Sequence, residues 1–164
     1  MHAIEIPTSK DFEAIADLNV SAYAEFAPYL QPGSWEIMQK TLRNIAERAE
    51  RSEFVVCRSG DNIVGSVAYC RAGKGDPAIF TPDMASILVL AVHPQHRGKG
   101  IAKVLILSCI SRAKSDRAGS IGLFTNELML PAQHIYRCLG FQQDLELPKR
   151  YGIRYFRFVL LLDS

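Results

Sequence analysis

Three features of the chain predict an α/β fold with a central mixed, twisted β-sheet flanked by helices. Short apolar strands alternate with amphipathic helical segments. The run from Met84 to Val92 is continuously apolar, as a strand covered on both faces must be. Only the connection from that strand to the one beginning at Ser120 is long enough for a parallel crossover, so the other strand pairings are antiparallel. At 164 residues the chain suits one domain, 1–164.

The elements follow in order. His2 to Ile6 alternates as a strand does, and Pro7 stops it. Thr8 or Ser9 offers a side-chain oxygen to cap a helix carrying Phe12, Ile15, Ala16, Leu18, Asn19 and Ala22 at helical spacing. Pro28 and Pro32-Gly33 break it. Ser34 is the expected cap of a second helix, with Ile37, Met38, Leu42, Ile45 and Ala46 on one face. Phe54 to Cys57 and Ile63 to Cys70 read as a hairpin around Ser59-Gly60-Asp61-Asn62. A Gly/Pro-containing loop from Arg71 to Pro82 leads to the central strand. A long helix opens near Gly98 and ends at Gly119, which is expected to take the left-handed conformation. Ser120 to Thr125 is a strand, Pro131 to Leu139 a short helix stopped by Gly140, and two closing strands follow. The predicted order is β-α-α-β-β-β-α-β-α-β-β, without repeats or linkers.

Composition narrows the partners. A net charge of +2 gives no basic stripe for nucleic acid and no anionic-membrane signal. No apolar run is long enough to span a bilayer, and no N-terminal signal layout is seen. The four cysteines lack metal-ligand spacing and fall in apolar stretches, so all four read as buried hydrophobes in a reducing compartment. The expectation is a cytoplasmic protein without a metal, a nucleic-acid partner or a membrane contact. The apolar last strand, Phe156 to Leu162, is either core or a homodimer edge.

The chemistry concentrates where the central strand ends. After Val92-His93-Pro94 comes Gln95-His96-Arg97-Gly98-Lys99-Gly100-Ile101-Ala102. A helix starts there without a Ser, Thr or Asp cap, so its first N–H groups point outward and its dipole favours an anion. The two glycines let backbone approach phosphate oxygens closely, and Arg97 and Lys99 add charge. Glycines alone could serve only the strand-to-helix turn; the basic residues and the open helix start favour phosphate. The pattern is not a Walker loop, and Lys103 stands where a dinucleotide fingerprint needs its third glycine.

The same segment resembles the acyl-coenzyme A signature of the GNAT superfamily of N-acetyltransferases, R/Q-x-x-G-x-G/A, filled by Gln95, Gly98 and Gly100. A second stretch is similar to that family's A-x-x-L-Y-x-x-x-G-F helix: Ala132, Ile135-Tyr136, Gly140-Phe141. The element order also matches, so the resemblance implies a GNAT-like fold. It implies acetyl transfer from acetyl-coenzyme A to an amine, most simply that of a small molecule, by direct attack in a ternary complex. The backbone of Leu90, Ala91 and Val92 would hold the pantetheine arm and offer an N–H to the thioester oxygen. Residues Gln95 and Arg97 to Ala102 would hold the pyrophosphate, and Tyr136 would donate a proton to the leaving thiolate.

Two positions depart from the family pattern. Ser86 stands where a basic Glu is often found, leaving water, Glu25, Glu36 or Glu127 as bases. Met129 stands where an Asn often contacts the cofactor, so Thr125 or Asn126 would supply that contact. The acceptor side would include Glu25, Tyr29 and Trp35, an aromatic wall with a carboxylate suited to a cationic amine. Lys149, Arg150 and Arg154 could instead meet a carboxylate or phosphate. Competing readings are a protein N-terminal, lysine or aminoacyl-tRNA acetyltransferase, a non-catalytic acyl-coenzyme A-binding module, and another nucleotide-binding α/β protein.

Overall fold

The computed structural model describes residues 2–163. The strands are β1 (His2–Glu5), β2 (Glu53–Ser59), β3 (Asn62–Cys70), β4 (Met84–Val92), β5 (Ser120–Asn126), β6 (Gln142–Arg150) and β7 (Ile153–Leu161). The helices are α1 (Phe12–Tyr23), α2 (Ser34–Arg43), α3 (Ile45–Ala49), α4 (Ile101–Ser115) and α5 (Leu130–Cys138). The strands form one seven-stranded sheet in the order β1-β2-β3-β4-β5-β7-β6. Only β4 and β5 run parallel; the other five pairings are antiparallel. Central β4 and the mixed sheet match the sequence reading, and so does the element order apart from the added α3.

The two faces of the sheet are covered differently. On one, α4 presents Leu105, Ile106, Cys109 and Ala113 to Val67, Ile87, Ile121 and Phe158, and α5 adds Tyr136. On the other, α1 and α3 bring Ile15, Ala16 and Ile45 against Phe54, Val56 and Ala68. The loop after β3 fills the rest of that second face with Ile79 and Phe80, which pack on Met84, Leu147, Ile153 and Tyr155. α4 lies close to β3 because residue 65 is glycine: a Cβ there would stand 2.6 Å from Ile101 Cγ2 and 3.0 Å from Leu105 Cδ1.

Several local expectations are corrected. The second helix breaks at Asn44, whose ψ of 66° leaves the helical region, so Ile45 belongs to the separate α3. The Asn19 side chain crosses from α1 to accept that break, donating to the Leu42 carbonyl at 2.9 Å. Ile37 and Ala46 face solvent instead of sharing the buried stripe of Met38 and Leu42. Gly33, left-handed at φ 82°, holds the cap position that Ser34 was expected to fill. After α4 the left-handed residue is Arg117, at φ 61°; Gly119 is instead a close approach, where a Cβ would meet the Asp83 carboxylate at 3.1 Å. Cys57, Cys70 and Cys109 are buried, but Cys138 is exposed near His134 at the end of α5. β7 lies inside the sheet between β5 and β6, which leaves polar β6 as the edge and removes the last strand as a dimer edge.

Candidate active site

β4 changes character midway. Its pairing with β5 covers only Met84 to Ser86, whereas β5 stays paired to β7 as far as Asn126. Against β3, the three residues Ser66 to Ala68 oppose the longer stretch Leu88 to Ala91, so β4 carries a bulge. Val89 sits in it at φ 45°, a conformation that β-branched residues rarely adopt and that costs roughly 1–3 kcal/mol. The bulge reverses the alternation. Ala85 and Ile87 face α4, and beyond Val89 it is Leu90 and Val92 that pack on that side, while Ala91 meets Leu18 and Ala22 of α1. From Ile87 onward the β5-facing edge of β4 has no partner strand, and an opening separates the two strands.

Leu90, Ala91 and Val92 lie on this opened stretch. The Tyr23 hydroxyl, from the end of α1, donates to the Leu90 carbonyl at 3.0 Å. Opposite, Tyr136 is 4% exposed, and its ring packs on Phe141 and Phe158 at centroid distances of 5.9 and 6.1 Å. Burial pushes the Tyr136 phenol well above its ordinary value, and the Tyr23 phenol raises it further. Burial holds both phenols neutral.

The turn after β4 closes one end. His93 N–H donates to the Val64 carbonyl at 2.8 Å, and the His93 ring accepts from the Gln95 N–H at 3.1 Å. That capped turn delivers Gly98 and Gly100, at φ 76° and 79°, to the start of α4. No side chain caps α4, and its first bond runs from Val104 N–H to the Gly100 carbonyl at 3.1 Å. The N–H groups of Ile101, Ala102 and Lys103 thus have no acceptor within the helix. A Cβ at Gly98 or Gly100 would meet nothing within 4 Å. Free donors, a helix dipole and open space fit a diphosphate. Lys99 stands 3.4 Å from the His96 ring, at the rim. Arg97 is engaged inward, with its guanidinium 2.6 Å from Glu25 and donating to the Ala22 carbonyl at 3.0 Å.

The remaining predicted residues are distributed unevenly. Thr125 and Asn126 are buried at the end of β5 and shape the turn into α5: Thr125 Oγ1 lies 3.4 Å from Met129 sulfur, and Asn126 accepts the Leu128 N–H at 3.0 Å. Ser86 is sealed, its Oγ 3.0 Å from where a Cβ on Gly75 would stand. Glu127 accepts the Arg154 N–H at 2.6 Å, tying the turn to β7. Glu36 and Tyr29 are exposed and Trp35 half-buried on the α1–α2 segment. On the face opposite α4 a cleft of about 420 Å³ opens beside the bulge, lined by Leu88, Phe124, Cys70, Arg48, Lys74 and Arg150 among others. Glu25, Tyr29 and Trp35 lie outside its lining. Of this basic lining, Arg48 and Arg51 carry no sequence signal, since Arg48 resembles any charge in the last turn of a helix.

Among the described residues no cluster of three or more His, Cys, Asp or Glu could hold a metal ion, and no helix is long and apolar enough to cross a membrane.

Comparison with known proteins agrees with this geometry. Residues 12–141 match the acetyltransferase (GNAT) family. N-acetyltransferase 8 of Mus musculus is 36% identical over 95 residues, covering 58% of this chain and 40% of the relative. The chain spans between 38% and 57% of the length of the curated relatives it matches. Among solved structures, the ribosomal-protein-S18-alanine N-acetyltransferase from Escherichia coli superposes with a TM-score of 0.74 at 18% identity, over 100% of this chain and 96% of that one. The paia N-acetyltransferase from Thermoplasma acidophilum, solved in complex with coenzyme A, superposes with a TM-score of 0.73 at 12% identity, over 96% and 98% of the two chains. With its motifs, its bulged central strand and its match from α1 to the end of α5, the chain belongs to the GNAT acetyltransferase family.

Proposed function

We propose that this chain transfers an acetyl group from acetyl-coenzyme A to a primary amine of a small molecule, by direct attack with both bound. One observation supports the reading: the unpaired opening of β4 has an anion-ready turn at one end, and its Leu90 and Val92 pack on the apolar cluster that contains Tyr136. The N–H groups from Gly98 to Ala102 would hold the diphosphate of coenzyme A, with Gln95 and Lys99 at the rim. The free edge of β4 at Leu90, Ala91 and Val92 would pair with the amides of the pantetheine arm. Acetyl-coenzyme A supplies the acetyl group as an activated thioester.

The chain's own groups then have defined tasks. An N–H on the free edge of β4 can meet an oxygen that gains negative charge, a contact worth about 3 kcal/mol in comparable sites. The Tyr136 phenol stays protonated across neutral pH and holds its proton for the departing sulfur. Thr125 and Asn126 fix the β5 wall of the opening. Ser86 is sealed and Glu127 is bound to β7, so the acceptor ammonium would release its proton to water entering through the cleft.

The test is thiol release from acetyl-coenzyme A in the presence of a panel of amines. Release that depends on the amine and falls sharply in Tyr136→Phe is expected. Tight coenzyme A binding without release across the panel would replace this reading with a non-catalytic binding module.

A further inference from the structure

The cleft beside the β4 bulge gathers cations that have no carboxylate partner among the described residues. Seven arginines elsewhere, Arg43, Arg58, Arg71, Arg97, Arg112, Arg154 and Arg157, each lie within 4.0 Å of a carboxylate. The cleft is lined by four cations, Arg48, Arg51, Lys74 and Arg150, and none of them has such a partner among the described residues. Its two carboxylates are occupied locally. Glu47 accepts from the Asn44 amide at 2.7 Å, and Asp76 accepts the Ala78 N–H at 2.9 Å.

Arg48 is the deepest of the four. Its Nε is buried without a hydrogen-bond partner among the described residues, and one terminal nitrogen reaches only the Thr41 carbonyl, at a long 3.4 Å. Desolvation lowers its pKa, yet a guanidinium keeps its charge in proteins. A half-buried guanidinium with its Nε sealed and only one long hydrogen bond is under-satisfied, and a bound anion relieves that cost. Arg48 lines the same cleft as Leu88, where the opened stretch of β4 begins, so the cation and the opened strand are close. Arg150 reaches the cleft from the β6–β7 hairpin, its guanidinium 5.0 Å from the Phe124 ring centroid. The diphosphate turn lies at the start of α4, which packs on the opposite face of the sheet, so this basic cleft is separate from it.

We propose that this cleft seats a carboxylate of the acceptor, gripped by Arg48 with Arg150 above it, and that the acceptor is a small amino acid-like amine whose carboxylate lies a few bonds from its amino group. The inference rests on the acetyl-transfer reading for the identity of the ligand as acceptor. A planar guanidinium meets a carboxylate through paired hydrogen bonds, which fixes orientation as well as charge. The Phe124 ring and Leu88 leave an apolar wall for the acceptor's side chain. A protein N-terminus or a polyamine carries no such carboxylate and would leave Arg48 unpaired.

The experiment compares the twenty free amino acids with their carboxamides. Two readouts are taken: kcat/KM for acetylation, and binding measured by saturation-transfer NMR without acetyl-coenzyme A. At least one free acid is expected to exceed its carboxamide by about tenfold or more in both. Arg48→Gln should abolish that preference while leaving coenzyme A affinity unchanged. Arg150→Gln, at an exposed position, should reduce it severalfold and decides the matter if Arg48→Gln does not fold. Equal treatment of every acid and its carboxamide, or full preference retained in both variants, would overturn the carboxylate site. If no amine is acetylated but free acids bind in an Arg48-dependent way, the cleft stands and the transfer reading fails.

Discussion

The Tyr136 phenol is raised in pKa by burial and by Tyr23. A phenol so placed keeps its proton across neutral pH and yields it only to a base that develops beside it, such as a departing thiolate. Tyr136→Phe removes the donor and little volume, so kcat should fall about a hundredfold with little change in coenzyme A affinity. The rate should rise with pH as the acceptor amine deprotonates, without a fall near pH 10, because the folded phenol titrates above that point. Stability carries the opposite sign. Tyr23, Tyr69 and Tyr136 all have raised folded pKa values against an unfolded value of about 10. Their contribution is complete below about pH 10 and is lost as pH climbs through the folded values, since ionised phenols favour the unfolded chain. Urea midpoints measured from pH 8 to 11 should be level at first and then decline.

At the scale of elements, the contact of α4 with β3 depends on Gly65. Gly65→Ala must displace Ile101 or shift α4, and overpacking of this kind costs roughly 1–3 kcal/mol. Because Ile101 begins α4, the same substitution should also weaken coenzyme A binding, measurable by titration calorimetry. Elements with strong local signals were legible in the sequence. The glycines around Lys99, the absent cap of α4, the continuous apolar run of β4 and the Tyr136-to-Phe141 spacing all announce themselves within a few residues. The bulge does not, because Ile87-Leu88-Val89-Leu90 reads as uninterrupted strand and only its pairing with β3 displays the extra residue. The engagement of Arg97 with Glu25 and the gathering of Arg48, Lys74 and Arg150 were equally hidden. Each joins residues far apart in the chain, and a charge on a helix end looks alike whether it meets water, a carboxylate or a ligand.

Over the whole molecule, the opening between β4 and β5 divides the sheet. β1 to β4 carry α1 and α3 on one side of it, while β5, β7 and β6 lie on the other. Past Ser86 the two parts are bridged by α4, by α5 and by the loop after β3, whose Ile79 carbonyl accepts from Arg157 at 2.7 Å. A ligand lying between the strands would supply contacts to both parts that the free protein lacks. Coenzyme A at a hundredfold excess over its Kd should stabilise the fold by about 2.7 kcal/mol. For a domain of this size that is a rise in Tm of about 5–10 °C, readable by calorimetry. A Tm that stays constant with added coenzyme A would mean that the opening is not where it binds.

Arg97 gives that division a temporal meaning. It hangs from the loop that precedes α4, yet it grips the Ala22 carbonyl in the last turn of α1 and Glu25 on the segment that follows. Whatever steadies the loop also steadies that segment, so the donor should prepare the ground for the acceptor and not the reverse. The kinetic prediction is compulsory order, with the thioester first to arrive and the free thiol last to leave. Product-inhibition patterns should then show coenzyme A competing with acetyl-coenzyme A but not with the amine. In Glu25→Gln the sequence should relax toward random arrival.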